Sequence, residues 1–188
     1  MLIFQGFSRK EHGKSHGKIL DMTSSINTFF DSSRQWIAVF NQWSEFIVSS
    51  ASADHICFKC ASSEEFESLR AMFEHESVFV YQSIISKRRI AIIKFTQPLP
   101  SILGDIWFLE LSDQKPDGSQ ISGFDHIEIY PKLGTVENLV KKIELKGVLM
   151  EKVTRPHHTT FDLVIQDDFK IRIESEPLIE KIQREEMR

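Results

Sequence analysis

Two stretches decide the fold: Ala53-Asp54-His55-Ile56-Cys57-Phe58-Lys59-Cys60 and Phe124-Asp125-His126-Ile127-Glu128-Ile129-Tyr130-Pro131. Both contain Asp-His-Ile, and His126 follows His55 by 71 residues. Each opens a β-like run and precedes a helical pattern, and three further strand-like runs follow. After the first come residues 62–75, with Ser62 and Ser63 as caps, glutamates in the first turn, and Phe66, Leu69 and Phe73 at helical spacing. The runs 77–85, 88–96 and 105–111 complete that unit, separated by a turn at Ser86-Lys87 and a Pro98/Pro100 stretch. The turn-rich segment 113–123 resets the order. A helix over 135–146 then carries Leu139, Val140 and Ile143 on one face, with Gly147 past its end. Runs 148–153, 159–166 and 169–174 follow, the last two split at Asp167-Asp168. The order β-α-β-β-β therefore occurs twice, and internal repetition of this kind governs the whole reading.

Outside the repeats, residues 1–21 read as a flexible tail. Apart from the opening Met-Leu-Ile-Phe it is polar, glycine-dotted and aperiodic, with His12 and His16 read as solvated. Residues 22–50 read as helical, with a break expected near Asp31-Ser32-Ser33. Ile26, Phe29, Phe30, Ile37, Phe40, Trp43, Phe46 and Ile47 form one apolar stripe, better suited to covering the domain's own core than to a partner. Residues 177–188 read as a short charged helix, a solvated cap. The expected organisation is a single domain over 22–188, with one module at 53–112 and the second at 124–175.

Composition narrows the function. With 23 basic against 27 acidic residues the net charge is −4, which lacks the basic footprint of a nucleic-acid-binding module. No run approaches the roughly 20 apolar residues of a membrane span. No signal peptide is evident, and two cysteines in one C-x-x-C do not make a disulfide scaffold. These features predict a soluble cytoplasmic protein without nucleic-acid or membrane partners, either monomer or homodimer. Cys57 and Cys60 read as structural, because a redox pair wants a helix N-terminus and these lie on a strand.

The repeats carry the candidate chemistry. Each module has a histidine on its first strand (His55, His126) and a glutamate on its last (Glu110, Glu174). Strand residues two apart share a face. His55 shares its face with Cys57 and Lys59, His126 with Glu128 and Tyr130, and Glu174 with Arg172 and Lys170, while aliphatic residues point the other way. Glu110 is less clean, since Ile106 and Phe108 share its side. One face is thus polar and the other fit to pack on helices.

In these residues the chain resembles the vicinal-oxygen-chelate superfamily, which includes glyoxalase I, extradiol dioxygenases and fosfomycin-resistance proteins. More closely it is similar to the YecM family of metal-binding proteins, through ADHICFKC, RRIAIIKF, the Leu-Glu-Leu…Lys-Pro link and GFDHIEIYP, over residue 22 to the C-terminus. The resemblance implies an α+β fold whose two βαβββ modules form a half-open eight-stranded sheet around a cavity, preceded by N-terminal helices. It also implies a divalent-metal site from His55, Glu110, His126 and Glu174. Two imidazoles and two carboxylates suit Zn, Fe, Mn, Co or Ni. The competing reading is that the histidines simply hydrogen-bond their preceding aspartates or nearby carbonyls. Glu128 is the candidate catalytic base, or a partner orienting a ligand, or one half of a salt bridge within the sheet. His157 and His158 are loop residues, with one of them a candidate substrate contact.

The function expected is a divalent-metal-binding protein with a small-molecule cavity, serving metal-dependent isomerase, lyase or dioxygenase chemistry on an oxygenated metabolite. The alternative is a non-catalytic module that binds a small ligand without a functional metal site.

Overall fold

The computed structural model describes residues 25–77, 79–154 and 159–186. The expected tail, and with it His12 and His16, lies outside them, as do His157 and His158. Among the described residues there are four α-helices and one open eight-stranded mixed sheet. The first module is β1 (Ala51–Lys59), α2 (Ser63–Glu74), β2 (Val80–Ile85), β3 (Arg88–Leu99) and β4 (Ile106–Ser112). The second is β5 (Gly123–Pro131), α3 (Val136–Glu144), β6 (Glu151–Thr154), β7 (Thr159–Gln166) and β8 (Phe169–Ile173). A helix precedes them, α1 (Ile26–Ser44), and another follows, α4 (Leu178–Glu186). The strand order is β2-β3-β4-β1-β5-β8-β7-β6, so the halves mirror each other across an antiparallel β1–β5 seam. In each half the first strand pairs in parallel with the last, β1 with β4 and β5 with β8, because a helix and a hairpin intervene between them. The expected paired βαβββ architecture is present, and the sheet does not close into a barrel.

Local chemistry sets the ends of these elements. Ser62 accepts from the Glu65 N–H at the start of α2, and Thr135 forms a reciprocal capping box with Asn138 at the start of α3. The β2–β3 and β7–β8 hairpins turn on Ser86-Lys87 and Asp167-Asp168, all four with positive φ, the two-residue turn that matches strand twist.

The helix expected to break at Ser32-Ser33 does not. Both hydroxyls bond back to carbonyls of α1 itself, Ser32 to Thr28 and Ser33 to Phe30, so they neither cap nor interrupt it. The aromatic stripe on α1 faces inward, as the core-covering reading predicted. Phe29 is fully buried, with rings of Phe58, Phe73 and Phe124 4.9–5.5 Å away and Phe30 and Phe95 slightly farther. Trp36 stacks on Phe169 of the second module at 4.9 Å. One helix therefore ties the cores of both modules together on the aliphatic face of the sheet, opposite the site. Phe29→Ala should lower unfolding free energy by about 3–5 kcal/mol, measured by urea denaturation, because it empties a cavity among five rings.

The C-terminal helix differs from expectation. It is not a solvated cap: Ile182 is only 7% exposed, and Leu178, Ile179 and Ile182 pack on Ile90 and Ile92 of β3, Phe108 of β4, and Phe79 and Tyr81. Its charged residues mask an apolar edge too short to stand out in the sequence.

Candidate metal centre

The site forms where the seam is irregular. Pairing along β1–β5 runs regularly up to Ala53↔Ile129 and resumes at Ile56↔Ile127, so Asp54 and His55 together oppose Glu128. A second irregularity follows, with Cys57↔His126 and Phe58↔Phe124, which leaves Asp125 as the extra residue. Each repeat thus has a β-bulge at its Asp-His pair. On a regular strand neighbours face opposite ways, and the bulge lets both the aspartate and the histidine reach one face. The His55 Nδ1–H donates to Asp54 Oδ1 at 2.9 Å, and the His126 Nδ1–H to Asp125 Oδ2 at 2.8 Å. A carboxylate only accepts, so it keeps a proton on Nδ1, and whenever the ring is neutral the lone pair is on Nε2.

These Nε2 atoms converge with two carboxylates. His55 Nε2 lies 3.7 Å from Glu110 Oε2 and 3.6 Å from Glu128 Oε2, and His126 Nε2 lies 3.6 Å from Glu128 Oε1. The four residues each offer one donor atom within 4.8 Å of all the others. Donors held ~2.1 Å from one ion stand about 3.0–3.4 Å apart, so a small inward movement would close this set around a cation. His55 is completely buried, and its Nε2 has no hydrogen-bond partner. An imidazole nitrogen without a hydrogen-bond partner, aimed between two carboxylates, is a donor set that fits a divalent metal.

The electrostatics agree. Burial alone would lower the His55 pKa, but Glu128, Asp54 and Glu110 outweigh it and push it well above the ordinary value. Burial would raise Glu110 and Glu128, yet the facing histidines hold both below the usual carboxylate range. Burial pushes the Cys57 thiol up, reinforced by Glu110, to whose Oε1 it donates at 3.4 Å. Cys60 is raised the same way, chiefly by burial, and lies in the core. Both cysteines are free.

The structure brings His55, Glu110 and His126 together with Glu128, and Glu174, the other expected ligand, is not among the four converging residues. Strand register supplies the reason. Cys57 pairs with Glu110 across β1–β4, and its repeat counterpart Glu128 pairs with Arg172 across β5–β8. Arg172 therefore occupies the position equivalent to Glu110. Glu174 lies two residues further, roughly 7 Å along the strand direction, where its N–H donates to the Ile129 carbonyl. Alternation alone could not separate 172 from 174, since both share a face; only the parallel register does.

Three partners of the cluster had no assigned role in the sequence reading. Arg172 is held by Asp162 through Nε and Nη2, at 3.0 and 2.8 Å, and its Nη1 donates to His126 Nε2 at 3.1 Å. Burial disfavours its charge, but Asp162 outweighs that and raises its pKa. Lys59 donates to Asp125 at 2.5 Å. The Tyr130 hydroxyl donates to Asp54 at 2.9 Å and lies 3.0 Å from His55 Nδ1 and 3.3 Å from Glu128 Oε2. Burial, reinforced by Glu128, keeps Tyr130 protonated. Within the cluster His55, His126 and Glu128 are buried, and Glu110 and Arg172 are partly exposed. One surface cleft, about 490 Å³, is bordered by Ser63, Lys87, Arg89 and Lys115 and includes none of the four residues.

Comparison with known proteins gives the family and the fold. The sequence model of the YecM protein family matches residues 21–183, and the chain belongs to that family. A solved structural-genomics structure, Protein EC4020, is similar over 82% of this chain and 90% of its own, with a TM-score of 0.64 and 18% identity. A methylmalonyl-CoA epimerase in complex with methylmalonyl-CoA and ammonium matches over 69% of this chain and 97% of its own, with a TM-score of 0.45 and 18% identity. The methylmalonyl-CoA epimerase from Mycobacterium tuberculosis matches over 69% and 91%, with a TM-score of 0.44 and 11% identity. No curated protein matches the chain.

The raised His55 pKa sets the pH dependence of metal uptake. A proton on His55 must leave before Nε2 can bind a cation, so affinity should rise with pH until His55 is deprotonated in the metal-free protein. Calorimetric Zn²⁺ titrations at pH 7 in two buffers of different ionisation enthalpy should report release of about one proton per ion. His55→Gln should abolish that release.

Proposed function

We propose that the chain binds one divalent transition metal through His55, His126, Glu110 and Glu128 and presents it to a small oxygenated ligand. The observation that carries this reading is the buried, unpartnered His55 Nε2 between two ionised carboxylates. Two imidazoles and two carboxylates suit Zn, Fe, Mn, Co or Ni. When bound, such an ion would polarise a carbonyl or hydroxyl of the ligand, or acidify a water, as isomerase, lyase and dioxygenase chemistry requires. Asp54 and Asp125 would fix the tautomer and orientation of the two imidazoles. Arg172, anchored by Asp162, would offer its Nη1 to an oxygen anion on the ligand. Glu128 sits between both Nε2 atoms, which suits a ligand, or a base released when an incoming oxygen displaces it.

Arg172 also supports the second reading, a ligand-binding module without metal. Its Nη1 already donates to His126 Nε2 and supplies a positive charge beside both carboxylates. In that case the guanidinium stands where a cation would, and the cluster recognises a ligand by hydrogen bonding alone.

Metal analysis of the tag-free protein by mass spectrometry separates the two. The expected result is one transition-metal ion per chain, lost in His55→Ala/His126→Ala and weakened at least tenfold in Glu128→Gln, with Glu174→Gln unchanged. No uptake of any of the five ions after reconstitution would leave the metal-free reading. Loss in Glu174→Gln but not Glu128→Gln would restore Glu174 as the ligand.

A further inference from the structure

The site face of the sheet is divided. Next to the cluster on the second module are Arg172, Asp162 and Lys170, with Lys59 on β1. On the first module the same face is mainly apolar, with Ser112 opposite Ile90 and Lys94 opposite Phe108 at its ends. Ile92 pairs directly with Glu110 across β3–β4, Tyr81 pairs with Ile92 across β2–β3, and Phe108 lies two residues before Glu110 on the same strand. Pairing and alternation put Tyr81, Ile92 and Phe108 on the side of the sheet that carries Glu110, and Ile90 joins them. Together they form an apolar cluster separate from the main core, which lies on the opposite face with Ala91, Ile93, Leu109 and Leu111.

This patch is covered by α4, through Leu178, Ile179 and Ile182. The helix also reaches the site itself: the Leu178 N–H donates to the Tyr130 hydroxyl at 3.4 Å, the hydroxyl that touches Asp54, His55 and Glu128. At nine residues α4 is shorter than the ~12–15 that sustain an isolated helix in water, so it exists by docking. Because His55 is fully buried, no ligand reaches its Nε2 with the structure as it stands.

We propose that the patch under α4 is the apolar subsite of the ligand, and that α4 is its internal occupant, displaced when the ligand enters. The ligand class follows from the two halves of the face: an organic carboxylate or comparable oxyanion, its charged head at the cluster and Arg172, its aliphatic or aryl tail across Phe108, Ile92, Ile90 and Tyr81. This rests on the cluster being a small-ligand site, and it adds the ligand's shape and the element that must move. Because docked α4 competes with the tail, the apparent affinity is reduced by the fraction of chains in which α4 is undocked.

The probe is octanoate, with acetate and 1-octanol as controls for tail and head. Calorimetric titration of Ile182→Ser, whose side chain no longer anchors α4, should give octanoate affinity about tenfold above the native chain. Acetate and 1-octanol should bind neither protein measurably. A thermal melt with an unchanged cooperative transition shows that the main core of the variant is intact. In the native chain, hydrogen exchange followed by mass spectrometry should show octanoate raising deuterium uptake in residues 178–186 while protecting β3 and β4. Equal octanoate affinity in both proteins, or uptake in 178–186 that is unchanged or reduced, overturns the proposal. Binding of 1-octanol as tight as octanoate overturns the anionic head. Visible absorption on Co²⁺ addition is read in parallel on the native chain. Cobalt uptake without an octanoate response means α4 is not the occupant although the metal reading stands, and an octanoate response without cobalt uptake means the reverse.

Discussion

The structure depends on the antiparallel seam between β1 and β5. It joins two halves that each pair first strand to last in parallel, and among the described residues it is the only strand pairing between the modules. Placed there, Asp-His-Ile occurs twice within a few residues of the molecule's pseudo-symmetry axis, and the histidine rings stand 6.3 Å apart at 78°. A regular seam would send each aspartate to the helix-covered face, where a carboxylate has no partner. The paired bulges turn both aspartates toward the imidazoles instead. Everything at the site descends from this: the fixed tautomers, the convergent Nε2 atoms, and the position of Glu128 opposite the first bulge.

The halves then diverge chemically where they match in register. Cys57 with Glu110 in one module corresponds to Glu128 with Arg172 in the other. A symmetric site would place two carboxylates on β4 and β8. Here the second comes from β5, and the vacated position carries a guanidinium. The acidic pair is thus drawn toward His55, while His126 faces Arg172. One half of the cluster is unsatisfied and the other is paired, an asymmetry that suits a ligand approaching with a defined orientation.

Much of this was legible in the residues. The repeat, the order of elements, the cap of α2, the two-residue turns and the inward stripe on α1 all follow from local pattern, and the same pattern marks both histidines and Glu110, which the fold brings together, as candidates. What was not legible depends on register or on contacts between elements distant in sequence. Alternation assigns Arg172 and Glu174 to the same face, and only pairing with β5 tells which of them meets the cluster. Bulges at Asp54 and Asp125 leave no mark in a single sequence, so the aspartate–histidine bonds were legible only as a competing reading and not as part of a convergent site. Ser32 and Ser33 look like a helix break because their hydroxyls can cap, but within a continuous helix the same hydroxyls bond backward. The apolar side of α4 amounts to Leu178, Ile179 and Ile182 among charged neighbours, and of the apolar residues expected beside Glu110 on β4 Phe108 belongs to its docking site while Ile106 joins the main core.

A cluster of two histidines, two glutamates, two aspartates, an arginine and a tyrosine in the middle of a sheet is costly to fold. Each buried charge loses hydration, and apolar residues of similar volume would commonly give equal or greater stability. The network offsets part of the cost through reciprocal partners: Asp54 with Tyr130 and His55, Asp125 with Lys59 and His126, Asp162 with Arg172. The compensation stops at His55 Nε2. A purely structural network has no reason to leave its most buried nitrogen without a partner, since an unmet polar atom costs more than a replaced one. The deficit lies where four donor atoms converge, next to a helix too short to stand alone. That coincidence of an unsatisfied centre with a cover that is helical only while docked is the physical argument that the cluster is built to receive something.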